Sequence, residues 1–116
     1  MISKKRQDAL MTMYQALLTN NFNQEICDKF EKVFNYVRLN KDDLIELIND
    51  NLNNWTFDRL GYISQSILLL ACGEVIILKT PKTVIINECV ELAKKFGEDD
   101  DTYKLINGTL DKLLDI

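Results

Sequence analysis

The sequence predicts an all-α protein, and two observations support that prediction. The chain of 116 residues contains one Pro and four Gly, which is too few for the tight turns of a many-stranded sheet. Apolar residues recur at intervals of three and four positions along most of the chain, which is the period of an amphipathic helix. We expect one domain with a single modest core, because a chain of this length buries about two-thirds of its unfolded surface.

The first half of the chain predicts three helices. The first spans about Ser3 to Leu18 and the second about Gln24 to Val37, with a polar cluster of asparagines between them. Asn40 is the predicted N-cap of the third helix, because the two aspartates after it favour the positive end of the helix dipole. The predicted core positions are Leu10, Met13, Tyr14, Leu17, Ile26, Phe30, Val33, Phe34, Val37, Leu44, Ile48 and Leu52.

The second half predicts a short helical turn and three further helices, which makes about six to seven helices in all. Trp55 and Phe57 are expected to pack between the two halves. Ser64 is the predicted N-cap of a central helix over about Gln65 to Lys79. This helix is apolar on most sides, which is typical of a helix buried in the middle of a small domain.

Two helices are predicted after the break at Pro81. One spans about Val84 to Phe96, and the last spans Thr102 to about Leu114. Asn107-Gly108 usually marks a turn, but the leucines of the last helix share a face only if the helix continues, so we keep it. The glycine there predicts close approach by another backbone or a ligand. The predicted inner positions are Ile86, Cys89, Val90, Ala93, Leu105, Ile106, Leu110, Leu113 and Leu114.

Charge and residue content argue against most catalytic chemistry. The chain contains no His and none of the glycine-rich phosphate-binding motifs, so an enzymatic role has little support. The net charge of −4 argues against a domain that is basic all over, so nucleic-acid binding would need a local patch. Lys4, Lys5 and Arg6 form such a patch, although a solvated helix start is the simpler interpretation of their charge alone.

Cofactor and metal sites are not expected. Cys27, Cys72 and Cys89 are widely spaced and odd in number, which fits buried thiols in a reducing compartment better than zinc ligands or disulfides. The acidic run over residues 99–101 lacks the alternation of a calcium loop and fits a solvated helix start. The longest apolar stretch is too short for a bilayer, so we expect a soluble, cytoplasmic protein.

The second half resembles the NusB family of transcription antitermination factors. The order of many short signals supports this resemblance, whereas the first half matches more loosely. The motifs are Trp55 with Asp58-Arg59-Leu60, Ile67-Leu68 with Leu70-Ala71 and Glu74, Pro81, Ile86-Asn87-Glu88, Val90-Glu91-Leu92-Ala93-Lys94, Phe96-Gly97, and Lys104 with Asn107-Gly108 and Leu110-Asp111.

The resemblance implies an all-α fold of two small helical bundles packed side by side. On this chain the division falls into residues 1–54 and 55–116. It further implies binding to boxA-type single-stranded leader RNA together with NusE, a small-subunit ribosomal protein. That complex would join RNA polymerase and suppress termination in ribosomal RNA operons.

The resemblance also assigns residues. Phosphate contacts would come from the start of the first helix, further RNA contacts from the last helix, and the NusE surface from the central helix. The RNA-binding residues are then Lys4, Lys5, Arg6, Tyr103, Lys104 and Asn107, and the partner-binding residues are Gly73, Glu74 and Ile77. Glu74 interrupts an apolar helix, so it must face an edge or be covered by a partner, because an unpaired buried carboxylate is costly.

Three departures from the family pattern bear on these residues. The family usually has Arg where Leu69 stands and an aromatic residue where Gly73 stands. Its Phe in the last helix is Leu105 here, and Tyr103 is the ring that could replace it.

Two alternatives to the antitermination role follow from the same resemblance. The chain could be a protein-interaction module, with Gly73 allowing a helix of a second copy to approach closely in a homodimer. It could also be the detached RNA-binding domain of an RNA cytosine methyltransferase, although a chain ending at Ile116 leaves no room for a cofactor-binding domain.

Overall fold

A computed structural model describes residues 4–23, 30–97, 99 and 101–114 of the chain. These residues form five α-helices and no strand, which confirms the all-α prediction. The helices are α1 (Lys4–Thr19), α2 (Phe30–Asp50), α3 (Tyr62–Gly73), α4 (Lys82–Phe96) and α5 (Thr102–Leu113). A 3-10 turn at Phe57–Arg59 precedes α3, and a π-helical turn at Glu74–Leu78 continues it. None of the described helices is both long and apolar enough to cross a bilayer.

The helix count is lower than six to seven because the second and third predicted helices join at a kink and are counted together as α2. Asn40 is not an N-cap: it lies inside α2 at a kink, with φ −120° and ψ 18°. Its side-chain amide donates to the carbonyl oxygen of Tyr36, four residues earlier, at 2.9 Å. This bond gives the asparagine a partner within the helix, so the chain bends without ending it.

α3 lies at the centre of the molecule. It packs against α1, α2, α4 and α5, and its residues from Ser64 to Gly73 are all buried. The helix begins at Gly61, not at the predicted cap Ser64, which is buried one turn further on. Gln65 fixes this entry, because its amide donates to the carbonyl oxygens of Phe57 and Leu60 at 3.0 and 2.9 Å.

The core confirms most of the predicted positions and corrects some. Phe57 is buried, but Trp55 is 52% exposed and does not pack between the halves. At the start of α4 the inner face differs from the prediction, with Ile85 fully buried and Ile86 only half-buried. The core side chains that are buried as predicted are Leu10, Met13, Phe30, Val33, Phe34, Val37, Leu44, Ile48, Cys89, Ala93, Ile106, Leu110, Leu113 and Leu114. Ile26 and Cys27 lie outside the described residues.

The last helix is continuous through Asn107-Gly108, as predicted. The predicted close approach by another backbone is wrong, however, and approach by a ligand stays a prediction. A Cβ atom built on Gly108 has nothing within 4 Å among the described residues, so no backbone approaches it closely there.

Candidate nucleic-acid interface

The first turn of α1 presents two exposed lysines. Lys4 and Lys5 are both exposed, as predicted for a phosphate-binding helix start. Lys4 lies 3.6 Å from Asp8, with side-chain exposures of 88% and 66%. A pair this exposed contributes little to stability, so the lysine ammonium groups remain available to a polyanion.

Arg6 does not belong to this exposed patch. It is 7% exposed, and its side chain points into the domain towards Glu74 at the end of α3. Nε donates to Glu74 Oε1 at 3.2 Å, and one terminal nitrogen, Nη2, donates to Oε2, so the contact is bidentate. The other terminal nitrogen, Nη1, lies 3.2 Å from Oε1 of Glu88 in α4. The prediction of Arg6 as an exposed phosphate contact therefore conflicts with its burial.

The charges around Arg6 explain why it remains ionised inside the protein. Burial alone lowers the pKa of the guanidinium, but the hydrogen bond and charge of Glu74 and the charge of Glu88 raise it above its ordinary value. A planar guanidinium suits this place, because it donates to two carboxylates at once. The ring of Phe30 also lies 5.7 Å from the guanidinium carbon.

The end of α4 adds two lysines that the sequence analysis did not assign. Lys95 Nζ donates to the side-chain oxygen of Gln7 at 3.1 Å, which joins the last turn of α4 to the start of α1. Lys94 Nζ lies 5.1 Å from the ring centroid of Tyr103, which joins the same turn to α5. The signal was the pair of lysines in the last helical turn, which also suits the negative end of a helix dipole.

We call Lys4, Lys5, Lys94, Lys95 and Tyr103 the basic face. Lys4 stands three positions before Gln7, so the two share one side of α1, and Gln7 contacts Lys95. Lys5 is exposed on the same first turn, about 100° further round the helix and away from Gln7. The basic face therefore draws on three helices that lie far apart in the sequence.

The structure separates the three residues predicted in α5. Tyr103 is half-buried beside Lys94, and Asn107 lines a groove of about 590 Å³ between α4 and α5 that Lys94 also lines. Lys104 lies instead 3.7 Å from Asp101 and lines a different hollow, beside the turn after α2. Of these three residues, Tyr103 belongs to the basic face and Asn107 lies next to it.

The groove between α4 and α5 is lined by both polar and apolar side chains. Asn87 and Asn107 present amide groups and Glu91 presents a carboxylate, whereas the carboxylate of Glu88 faces Arg6 and its Oε2 is buried. Amides and carboxylates are side-chain groups that hydrogen-bond the edges of unstacked nucleobases. The groove can therefore accept a base whose phosphates lie on the basic face.

The residues predicted to bind a partner are placed differently from the expectation. Glu74 is 2% exposed and is covered by Arg6 of the same chain. Gly73 is buried against α2, where an added Cβ atom would lie 2.8 Å from Val33 Cγ1. The close approach predicted at Gly73 is thus made by the chain's own helix and not by a second subunit. Ile77, in the π-helical turn, is half-buried and can still meet a partner.

Other candidate sites have no support. Among the described residues no group of three or more Asp, Glu or Cys side chains could hold a metal ion.

Trp55, Arg59 and Leu105 line a hollow of about 260 Å³ whose opposite side is formed by Asp99 and Asp101. Leu69 is fully buried in the core. Cys72 and Cys89 are free and buried, and burial raises the pKa of the Cys72 thiol to about 12.

The fold and the site together define an all-helical domain whose local basic face suits a polyanionic ligand. The NusB family model matches residues 2–115. This chain belongs to the NusB family.

Curated relatives agree with this assignment. A transcription antitermination protein NusB from Exiguobacterium is 45% identical over 74 residues, which cover 63% of this chain and 57% of that protein. A protein of the same name from Bacillus licheniformis is 41% identical over 85 residues, which cover 72% and 65% of the two chains. The chain thus spans well under two-thirds of the length of the Exiguobacterium relative.

Solved structures confirm the fold. T. maritima NusB superimposes with a TM-score of 0.81 at 22% identity, over 98% of this chain and 92% of that one. A chain in a crystal structure of a plectonemic RNA supercoil superimposes with a TM-score of 0.76 at 25% identity, over 94% of this chain and 90% of that one.

Proposed function

We propose that this protein is a non-enzymatic transcription antitermination factor of the cytoplasm. It binds boxA-type single-stranded RNA together with NusE, and the complex joins RNA polymerase in ribosomal RNA operons. Family membership supports this role, because the curated relatives named above are transcription antitermination proteins. The observation that supports RNA binding best is the basic face, which collects four lysines and a tyrosine in a chain of net charge −4.

Each part of the basic face has a distinct role in the proposed complex. The four lysines contact phosphates, and Tyr103 stacks on a base, since stacking on an aromatic ring is the usual way to hold an unpaired base. Asn107 bonds the edge of a base in the groove between α4 and α5. Lys104 and Arg6 make no phosphate contact, because one faces another hollow and the other is buried.

The proposed NusE surface is the π-helical turn. Its apolar side chains Val75, Ile76, Ile77 and Leu78 are all half-buried, and π-helical turns often occur at functional sites. Gly73 and Glu74 shape this surface from below without touching the partner. An Ile77→Asn variant should weaken NusE binding while leaving RNA binding by the isolated protein unchanged.

A salt titration tests RNA binding. The affinity for a fluorescent boxA-type RNA is measured by anisotropy between 50 and 300 mM salt, with and without NusE. Replacing Lys94 and Lys95 by Gln should reduce the slope of log K against log salt by about 1.4, since single strands lose about 0.7 per phosphate contact.

A matched control replaces two cations of α2 that lie near the C-terminal end of α1. Phe22, just after α1, stacks on Phe34 at 6.0 Å, and Lys41 lies 4.8 Å from the Phe22 ring. Arg38 and Lys41 therefore lie away from the basic face, and their Gln variants should keep the wild-type slope. Absence of binding to boxA-type RNA, both alone and with NusE, would refute the proposed function.

A further inference from the structure

The buried contact between Arg6 and Glu74 joins the two surfaces of the proposed complex. Arg6 follows Lys4 and Lys5 directly and precedes Gln7, so it stands in the middle of the α1 part of the basic face. Its guanidinium bonds Glu74, the first residue of the π-helical turn, on both carboxylate oxygens. No RNA could reach this contact directly, because both side chains are less than 10% exposed.

The first turn of a helix needs such an attachment. Its leading N–H groups have no partner within the helix, and terminal turns fray readily unless something holds them down. The other contacts near the start of α1 are weak, since the Lys4–Asp8 pair is largely exposed and the Gln7–Lys95 bond lies at the surface. Arg6 by contrast reaches α2, the end of α3, and α4 at once.

We infer that Arg6 and Glu74 are positioning residues for RNA binding, which hold Lys4 beside Lys95 and Lys5 on the adjoining side of the same turn. This inference rests on the proposed function. Neither residue touches the RNA. The bidentate contact fixes the direction of the first turn of α1, so that the lysines of this turn meet phosphates of the same RNA that the lysines of α4 bind. Holding a binding group in place lowers the entropy lost when RNA binds.

The inference makes a prediction whose sign is opposite to that of simple electrostatics. Glu74→Gln removes a negative charge from the protein, which should favour a polyanion if charge alone matters. If Glu74 positions the lysines, the same variant should weaken RNA binding instead. The loss should be about 5-fold to 25-fold at 0.1 M salt, since each phosphate contact on a single strand accounts for about 5-fold there.

The experiment measures RNA affinity in four proteins at temperatures well below their melting points. They are the wild type, Glu74→Gln, the double variant Lys4→Gln with Lys5→Gln, and the combination of all three substitutions. Positioning through the lysines predicts that Glu74→Gln weakens binding in the wild-type background and has no further effect once both lysines are absent. Glu46→Gln is the matched control, because Glu46 is exposed on α2 and its loss should not weaken binding.

Two further variants distinguish a loss of positioning from a folding defect. Arg6→Lys keeps the positive charge but loses the fork, so RNA binding should fall although the net charge is unchanged. Glu88→Gln removes the negative charge in α4 that Nη1 of Arg6 contacts, and it should give a smaller loss than Glu74→Gln. Circular dichroism and denaturation establish that each variant is folded when it is assayed.

The possible results separate the inference from the proposed function. If folded Glu74→Gln and folded Glu88→Gln bind RNA as tightly as the wild type does, or more tightly, the inference alone is overturned. An equal loss in the presence and absence of the two lysines would also overturn it, because Glu74 would then act elsewhere. No RNA binding by the wild type, with or without NusE, would overturn both.

Discussion

Gly73 of α3 and Val33 of α2 approach so closely that a Cβ atom on the glycine would lie 2.8 Å from Val33 Cγ1. Val37 Cγ2 would lie 3.1 Å from the same atom. Both neighbours are β-branched valines with little freedom to rotate inside a helix. The contact fixes the distance between the two helices in the middle of the core.

Gly73→Ala should therefore destabilise the protein by about 1–3 kcal/mol, the usual cost of adding a methyl group to a packed core. Gly108→Ala is the matched control, because the space around Gly108 is open and it lies inside a helix. That control should stabilise by about 0.5–1 kcal/mol, since Ala favours a helix more than Gly does. Urea denaturation measures both; equal effects of the same sign would contradict the packing described.

Arg6 should matter to stability as well as to RNA binding. Arg6→Met leaves the carboxylates of Glu74 and Glu88 without their buried partner, which should cost about 3–5 kcal/mol. Lys4→Met, which removes an exposed charge two positions before Arg6, should leave the denaturation midpoint nearly unchanged. A small effect of Arg6→Met would mean that the buried ion pair contributes no more than an exposed one.

Gln65 should be needed to hold the 3-10 turn against α3. Gln65→Leu keeps the volume but removes both donors, so the carbonyl oxygen of Leu60 loses its side-chain donor and that of Phe57 keeps only the backbone N–H of Leu60. We expect a loss of about 1–3 kcal/mol, because buried carbonyl groups without hydrogen bonds are costly. The exposed Gln15→Leu serves as control in the same denaturation series. A shift no larger than that of the control would show that solvent replaces these bonds.

Alkaline pH should destabilise the protein through Cys72. Burial raises the pKa of this thiol from 9.0 to about 12. Below pH 9 both folded and unfolded chains keep the proton; above it the unfolded chain releases the proton first, so stability falls as pH rises from 9 towards 12.

The difference between wild type and Cys72→Ala isolates this effect from the titration of Lys and Tyr side chains. The variant should lose less free energy of unfolding over that pH range than the wild type does. Parallel curves for the two proteins would show that the thiol ionises in the folded state as readily as in the unfolded one.

The helices were predictable because their core residues repeat at helical spacing. The errors came where residue type or spacing alone did not determine the environment of a side chain. Asn is a residue type that often caps helices, but the side-chain amide of Asn40 donates to a carbonyl oxygen of its own helix. Ile85 and Ile86 are adjacent and equally apolar, so periodicity could not decide which faces the core. Trp55 was expected inside because of its size, yet it lies at a surface hollow.

The candidate site was less predictable than the fold. The exposed lysines of α1 follow from the sequence, but the burial of Arg6 depends on Glu74, which lies 68 positions away. Lys94 and Lys95 join Lys4 only through contacts between helices, which no local pattern encodes. Lys104 and Asn107, three positions apart, face different hollows because α5 packs against α2, α3 and α4.

The burial of α3 on all sides has a consequence for how the protein opens. Loss of any one neighbouring helix would expose apolar side chains of α3 to water, so partial unfolding is penalised wherever it begins. Neither residues 1–54 nor residues 55–116 should persist alone, because the first lacks α3 and the second leaves it uncovered. Backbone amides of α3 should then exchange with solvent only when the whole chain unfolds, and hydrogen exchange there reports global stability.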